Sequence, residues 1–242
     1  APPLVRTRHI SAPVPDNVLT TWLYTKATRH IVTTGEALRQ QLSLGNRFPA
    51  TMITSVPTGI DSRRFVPGDR KAAQSALGLD TSFRYLGIVA TLRSWKGHLY
   101  LVEAFARAAL PHWKLLIVGN GPMLDPIQAR IAELGLGEKV LMAGQQQNPE
   151  DWLRAMDIFC LPSYANEGVP QAIVQAMLTA LPVISTPVGA IPEAVTDGST
   201  GVLVSPRDPS ALAAAIGTLA SDAGLATRLG AAARLKAERS FS

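Results

Sequence analysis

The stretch Glu167-Gly168-Val169-Pro170-Gln171-Ala172-Ile173-Val174-Gln175-Ala176-Met177 sets a carboxylate ahead of a Gly-Val-Pro opening and two amides. Read as a loop that runs into a helix, it offers unpaired N–H groups and the positive end of a dipole, which suits an anionic ligand. Glu167 and Gln175 are eight residues apart, a helical rise of about 12 Å. That is roughly the reach of a nucleotide sugar from hexose to ribose. A step of four puts Glu167, Gln171 and Gln175 on one expected face. Ile173, Ala176, Met177 and Ala180 fall on another, the expected core side.

A second group is cationic. Arg93-Ser-Trp-Lys96-Gly97 lies between a strand-like run and a helical pattern. Two cations and a glycine at a strand-to-helix turn suit a diphosphate. A third group, Gly119-Asn120-Gly121-Pro122, follows the next strand-like run. It would serve either the close approach of a ligand or a tight turn before a Pro-started helix. It is not a dinucleotide fingerprint, because no third glycine follows at the required spacing. His9 ends a strand-like segment, and His30 and His112 have no partners at metal-ligand spacing. The sequence holds no Walker loop and no Gly-x-Ser-x-Gly elbow.

The elements that must position these groups follow from periodicity. Tyr85–Ala90, Lys114–Gly119, Val140–Ala143, Ile158–Leu161, Val183–Ser185 and Gly201–Val204 read as short apolar strands. Helical patterns separate them over 96–109, 124–134, 149–156, 168–180, 190–197 and 208–220. Strands apolar on both faces that alternate with helices predict an α/β fold. Its expected form is a Rossmann-like parallel sheet with helices on both faces. Ligands on such sheets bind outside the carboxyl ends of the strands. The first fifty or so residues read as a separate unit, with strands at Val5–His9 and Ile31–Thr34 and helices near 17–28 and 36–42. The expected division is a remnant of one α/β domain at 1–54, a linker at 55–62 and a ligand-binding domain at 63–242. Pro57 and Gly59 punctuate the linker.

The 242 residues are 47% apolar and 17% charged, which fits a globular chain. The single cysteine, Cys160, sits in an apolar run and reads as a core residue; it permits no internal disulfide. No apolar run approaches the roughly 20 residues of a membrane span, and the start has no signal-peptide pattern. Beginning without Met and close to a strand, the chain reads as part of a longer protein. The net charge is +5. Most of the excess lies in residues 1–48, in Arg6, Arg8, Lys26, Arg29, Arg39 and Arg47 against Asp16 and Glu36. This basic segment is either a solvated surface or an attraction for an anionic membrane or acidic acceptor. Nucleic acid is not an expected partner, since the basic residues are not interleaved with aromatics.

Taken together and in order, the motifs resemble the retaining family-4 glycosyltransferases of the GT-B fold. The resemblance rests on Arg93-x-x-Lys96-Gly97, Val118-Gly-Asn-Gly-Pro122, Glu167-Gly-Val-Pro170 running to Gln175, Pro187-Val-Gly-Ala-Ile-Pro-Glu193 and Gly198-Ser-Thr-Gly-Val-Leu-Val204. Val56-Pro-Thr-Gly-Ile-Asp61 is similar to the family's hinge, Thr34-Gly-Glu-Ala-Leu38 to its Ser-x-Ala-Leu segment, and Thr7-Arg-His9 to its Thr-x-His strand end. The family implies that Arg93 and Lys96 hold the donor diphosphate, Glu167 contacts the hexose with support from the amides of Gly168 and Val169, and His9 approaches the sugar from the other domain. Further donor contacts are expected from Gly97, Gly119, Asn120, Gly121, Pro170, Gln171, Val174 and Gln175. Position 175 normally carries a second Glu on the ribose hydroxyls; Gln175 departs from that pattern, as do Thr58 and Ala190 more mildly.

The implied reaction is direct transfer of a hexose, with retention, from a nucleoside-diphosphate sugar. A uridine diphosphate sugar is the expected donor, with no metal and no cofactor. The acceptor would be a glycan or lipid-linked sugar in surface polysaccharide or lipopolysaccharide synthesis. The expected location is cytoplasmic, peripheral at the inner face of the plasma membrane. Two other functions share these features: a nucleotide-sugar epimerase of the same fold, and a non-catalytic nucleotide-sugar binding module.

Overall fold

The computed structural model describes residues 2–9 and 12–242. Ala1, Ile10 and Ser11, which fall in the expected 1–54 unit, lie outside the described residues. The elements run β1 (Val5–Arg8), α1 (Val18–Thr25), β2 (His30–Thr33), α2 (Glu36–Gln40), β3 (Ile53–Ser55), α3 (Arg70–Ala76), β4 (Arg84–Val89), α4 (His98–Ala108), β5 (Trp113–Val118) and α5 (Leu124–Glu133). They continue β6 (Val140–Gly144), α6 (Pro149–Ala155), β7 (Ile158–Leu161), α7 (Gln171–Leu178), β8 (Val183–Ser185), α8 (Ile191–Ala194), β9 (Val202–Leu203), α9 (Pro209–Ser221) and α10 (Ala223–Ser240). β1, β2 and β3 form one parallel sheet in that order. The other six strands form a second parallel sheet, ordered β6-β5-β4-β7-β8-β9.

The second sheet is buried because its central strands carry nothing water would hold. All of Ile158-Phe159-Cys160-Leu161 is inaccessible, as are Leu86, Ile88 and Leu115-Leu116-Ile117. Helices cover both faces: α5 and α9 pack on α4, while α6 and α10 pack on α7 and α3 packs on α6. The edge is different. β6 is half-buried, and Leu141 is exposed, so the expectation of strands covered on both faces fails there. The first sheet has a smaller core around Val14, Tyr24, Ile31, Leu42, Phe48 and Ile53, with Tyr24 stacked on Phe48 at 5.0 Å.

The strand order reverses between β4 and β7, which is where a doubly wound sheet opens a crevice at its carboxyl ends. At the opposite, amino ends these two strands are fastened by Asp157. Its buried carboxylate accepts from Arg70 at 2.7 Å, from Arg84 at 3.3 Å and from the Tyr85 amide at 2.8 Å. Between the sheets, the Val56 amide bonds Thr33 of the first unit and the Ile60 amide bonds Phe241 of the second. Ser55 still belongs to β3, so the first sheet extends into the segment read as linker.

Candidate active site

The turn after β4 and the loop after β7 meet across the reversal. Ser94–Lys96 forms a single 3-10 turn, closed by Gly97 in the left-handed region at φ 80°. A Cβ on Gly97 would lie 2.1 Å from the Pro162 carbonyl oxygen, so only glycine lets this turn touch the exit of β7. The Tyr164 amide then bonds the Trp95 carbonyl at 2.8 Å and joins the two loops.

This juxtaposition brings Lys96 to Glu167. The ammonium donates to both carboxylate oxygens, at 2.7 and 3.0 Å. Ser163 Oγ donates to the same carboxylate at 2.6 Å. Glu167 is only 4% exposed. Ser163 is itself fixed, since its carbonyl accepts from the Thr186 hydroxyl. A carboxylate this deep requires a counter-charge and hydrogen bonds, and it has both.

Residues of both units line a cleft of about 260 Å³. His9, Thr34 and Thr58 face Trp95, Lys96, Asn166, Glu167, Gly168, Val169, Pro170 and Gln171. The two units abut at Gly168. A Cβ there would lie 2.7 Å from the His9 carbonyl oxygen and 2.9 Å from Thr34 Oγ1.

Several expected site residues stand elsewhere. α7 begins at Gln171, with Pro170 as its N-cap, so Glu167, Gly168 and Val169 belong to the preceding loop. Glu167 therefore shares no helical face with Gln171 and Gln175, and the helical rise does not measure its separation from them. The loop must leave the helix axis to carry Glu167 down to Lys96. Gln171 and Gln175 remain one turn apart on α7, exposed and half-buried respectively. Val174 is fully buried in the core, which removes its side chain from any donor contact.

Gly119 and Gly121 serve the backbone. Cβ atoms there would strike the carbonyl oxygens of Ala90 at 2.0 Å and Leu92 at 2.7 Å, so the two loops can run side by side. Gly119, Asn120, Gly121 and Gln175 do not line the cleft, nor does Arg93, which is exposed with its guanidinium 5.7 Å from the Trp95 ring centre. Ser163, Trp95, Thr34, Thr58 and Asn166 were not among the expected site residues. A serine four residues before Glu167 was the one local signal, since Ser163 and Glu167 sit in one loop.

His98, the first residue of α4, is buried and neither ring nitrogen has a hydrogen-bond partner. Burial pushes its pKa down to about 4; the Lys96 charge adds to this and the nearby Arg93 backbone offsets part of it. A second cleft, of about 310 Å³, lies at the amino ends of β4 and β7 beside Arg70, Arg84 and Arg154. Those guanidiniums are already bonded to Asp157, Asp151 and backbone carbonyls.

Residues 69–236 match the family described as Glycosyl transferases group 1. The chain belongs to that family. Among group 1 glycosyl transferases it is 34% identical over 179 residues to the lipopolysaccharide core biosynthesis mannosyltransferase LpsB of Rhizobium meliloti, covering 70% of this chain and 51% of LpsB. It is 36% identical over 202 residues to the D-inositol 3-phosphate glycosyltransferase of Mycolicibacterium gilvum, covering 79% of this chain and 44% of that protein. The chain thus spans about half the length of these curated relatives. In fold, this group 1 chain superposes on HepE of Anabaena, solved with UDP and glucose, at a TM-score of 0.90 over 99% of this chain and 68% of that one. The identity there is 22%, and the likeness shows the α/β fold of the GT-B kind.

Proposed function

We propose that this chain forms the donor side of a retaining glycosyltransferase that moves a hexose from a nucleoside-diphosphate sugar, with a uridine diphosphate sugar as the preferred donor. The observation that carries this reading is the meeting of the β4 and β7 loops at the strand-order reversal, with Lys96 on Glu167 and His9 across the cleft. A diphosphate entering beside Lys96 and the start of α7 meets a cation and free N–H groups. These stabilise the negative charge that grows on a departing diphosphate. Arg93 is free of ion pairs among the described residues and adds to that field. Glu167, held rigid by Ser163 and Lys96, orients the hexose, with the Gly168 and Val169 amides beside it. Gln175 takes the ribose.

The acceptor is a glycan or lipid-linked sugar of a cell-surface polysaccharide or lipopolysaccharide, and the similarity to LpsB supports this class. Peripheral contact with an anionic membrane belongs to the same proposal. It now rests on Lys26, Arg29 and Arg47, which are exposed. Arg6 instead stacks on Tyr24, Arg8 bonds Tyr24 and Ala12, and Arg39 pairs with Glu36. Among the described residues no helix is long and apolar enough to cross a membrane.

A thermal-shift panel of nucleoside diphosphates tests the donor site. At a hundred times its dissociation constant, a ligand stabilises by about 2.7 kcal/mol, or roughly 5–10 °C for a chain of this size. Silence from the whole panel would sink the reading. Release of an isomerised sugar without an acceptor would instead make the protein an epimerase, and binding without turnover by the full-length protein would make it a binding module.

A further inference from the structure

Glu193 lies in α8 of the six-stranded unit, yet its carboxylate caps α2 of the three-stranded unit. Oε2 accepts from the Glu36 amide at 2.8 Å and Oε1 from the Ala37 amide at 2.7 Å. α2 has no cap of its own, because its N-cap residue is Gly35. A carboxylate that takes two helix-start N–H groups makes charge-assisted bonds in the favourable sense of the helix dipole. Among the described residues, the hydrogen bonds that cross from the three-stranded unit to the six-stranded one both end on Glu193, and no ion pair crosses.

The connection continues to the cleft. Thr34, two residues before α2, bonds the Arg8 carbonyl at the end of β1 through its amide at 3.2 Å and its hydroxyl at 3.4 Å. His9 follows Arg8, and the His9 carbonyl and Thr34 hydroxyl are the atoms that abut Gly168. Gly35 leaves room for the cap. A Cβ there would lie 2.9 Å from Ala190 Cβ and 3.1 Å from Glu193 Oε1. Its φ of −171° is open to any residue, so space alone requires the glycine.

We propose that Glu193 is a latch between the two units: a positioning residue that caps α2 from the opposite unit and holds His9 and Thr34 over Gly168 and Glu167. The catalytic part of this inference rests on the donor-site reading above; the structural part does not.

Spin labels at Thr51→Cys and Gln128→Cys, both exposed positions in different units, report the separation by double electron–electron resonance. The native Cys160 is buried and takes no label. The unsubstituted latch gives one narrow distance distribution. Glu193→Ala, which removes the cap, and Gly35→Ala, which crowds it, should each broaden the distribution toward longer distances. An unchanged distribution in both overturns the latch. In the full-length enzyme the same two changes should lower kcat roughly tenfold or more while the UDP dissociation constant stays within about twofold, since the lost bonds are charge-assisted and lie outside the donor contacts. Loss of UDP binding together with kcat overturns the latch as a positioning device. Failure of the unsubstituted chain to bind UDP counts against the donor site and leaves the distance measurement to judge the latch.

Discussion

Lys96 and Glu167, 71 residues apart in sequence, form a buried ion pair at 2.7 Å that joins the two halves of the proposed donor site. The cation assigned to the diphosphate and the carboxylate assigned to the hexose are thus a single electrostatic unit. Removing Lys96 strands Glu167, the more deeply buried of the two.

The first prediction follows from that pairing. Lys96→Ala leaves Glu167 buried with Ser163 as its remaining partner and should cost about 3 kcal/mol of stability. Glu167→Ala should cost less, because Lys96 is more accessible and can reach water. The double variant should be more stable than the two single losses added together. Urea denaturation of all four proteins measures the coupling, and strict additivity would show that the pair is not a unit.

Glycine at position 97 is required by both conformation and space. Gly97→Ala should destabilise the fold by about 2–4 kcal/mol, because a side chain at positive φ also meets the Pro162 carbonyl. The expected result in differential scanning calorimetry is a clear drop in Tm, together with weaker UDP binding as the β4 and β7 loops separate. Equal Tm values would contradict the contact.

His98 makes stability depend on pH. Its folded-state pKa is depressed to about 4 from 6.5, so the unfolded chain binds the proton more readily. Stability from this group is therefore complete above about pH 6.5 and is lost as the pH falls toward 4. The full loss is about 3 kcal/mol. His98→Leu, which matches the apolar surroundings, should flatten the stability profile between pH 6.5 and 4, as read from denaturation midpoints at half-unit steps.

Gln175 offers the ribose an amide where a carboxylate would accept from two hydroxyls. Gln175→Glu should change UDP affinity by about 1 kcal/mol, roughly fivefold, without altering the stereochemistry of transfer. Titration calorimetry gives the affinity and NMR of the product gives the anomeric configuration. Complete loss of UDP binding in this variant would remove position 175 from the ribose site.

The central sheet was legible because β7 and β8 have no polar residue to expose until Ser185, and their bounds follow the apolar runs residue for residue. β3 leaves no periodic signal because its three residues carry one buried side chain, and α3 leaves none because its helix is largely polar. The start of α7 lies three residues later than the spacing predicts, for a different reason. Gly168 and Pro170 resemble a first helical turn, but burying Glu167 against Lys96 pulls that segment out of the helix. Local spacing contains nothing about a partner in another loop. For the same reason Glu193 was visible only as part of a motif, while its two hydrogen bonds join it to residues more than 150 positions away.

Asp157 gives the molecule a mechanical asymmetry. It clamps the amino ends of β4 and β7 with two arginines and a backbone amide, so these strands cannot part like the blades of opening shears. Any widening of the cleft must come from the loops at the other end or from the neighbouring unit tilting away. The floor of the crevice is anchored, and the moving parts are confined to its walls.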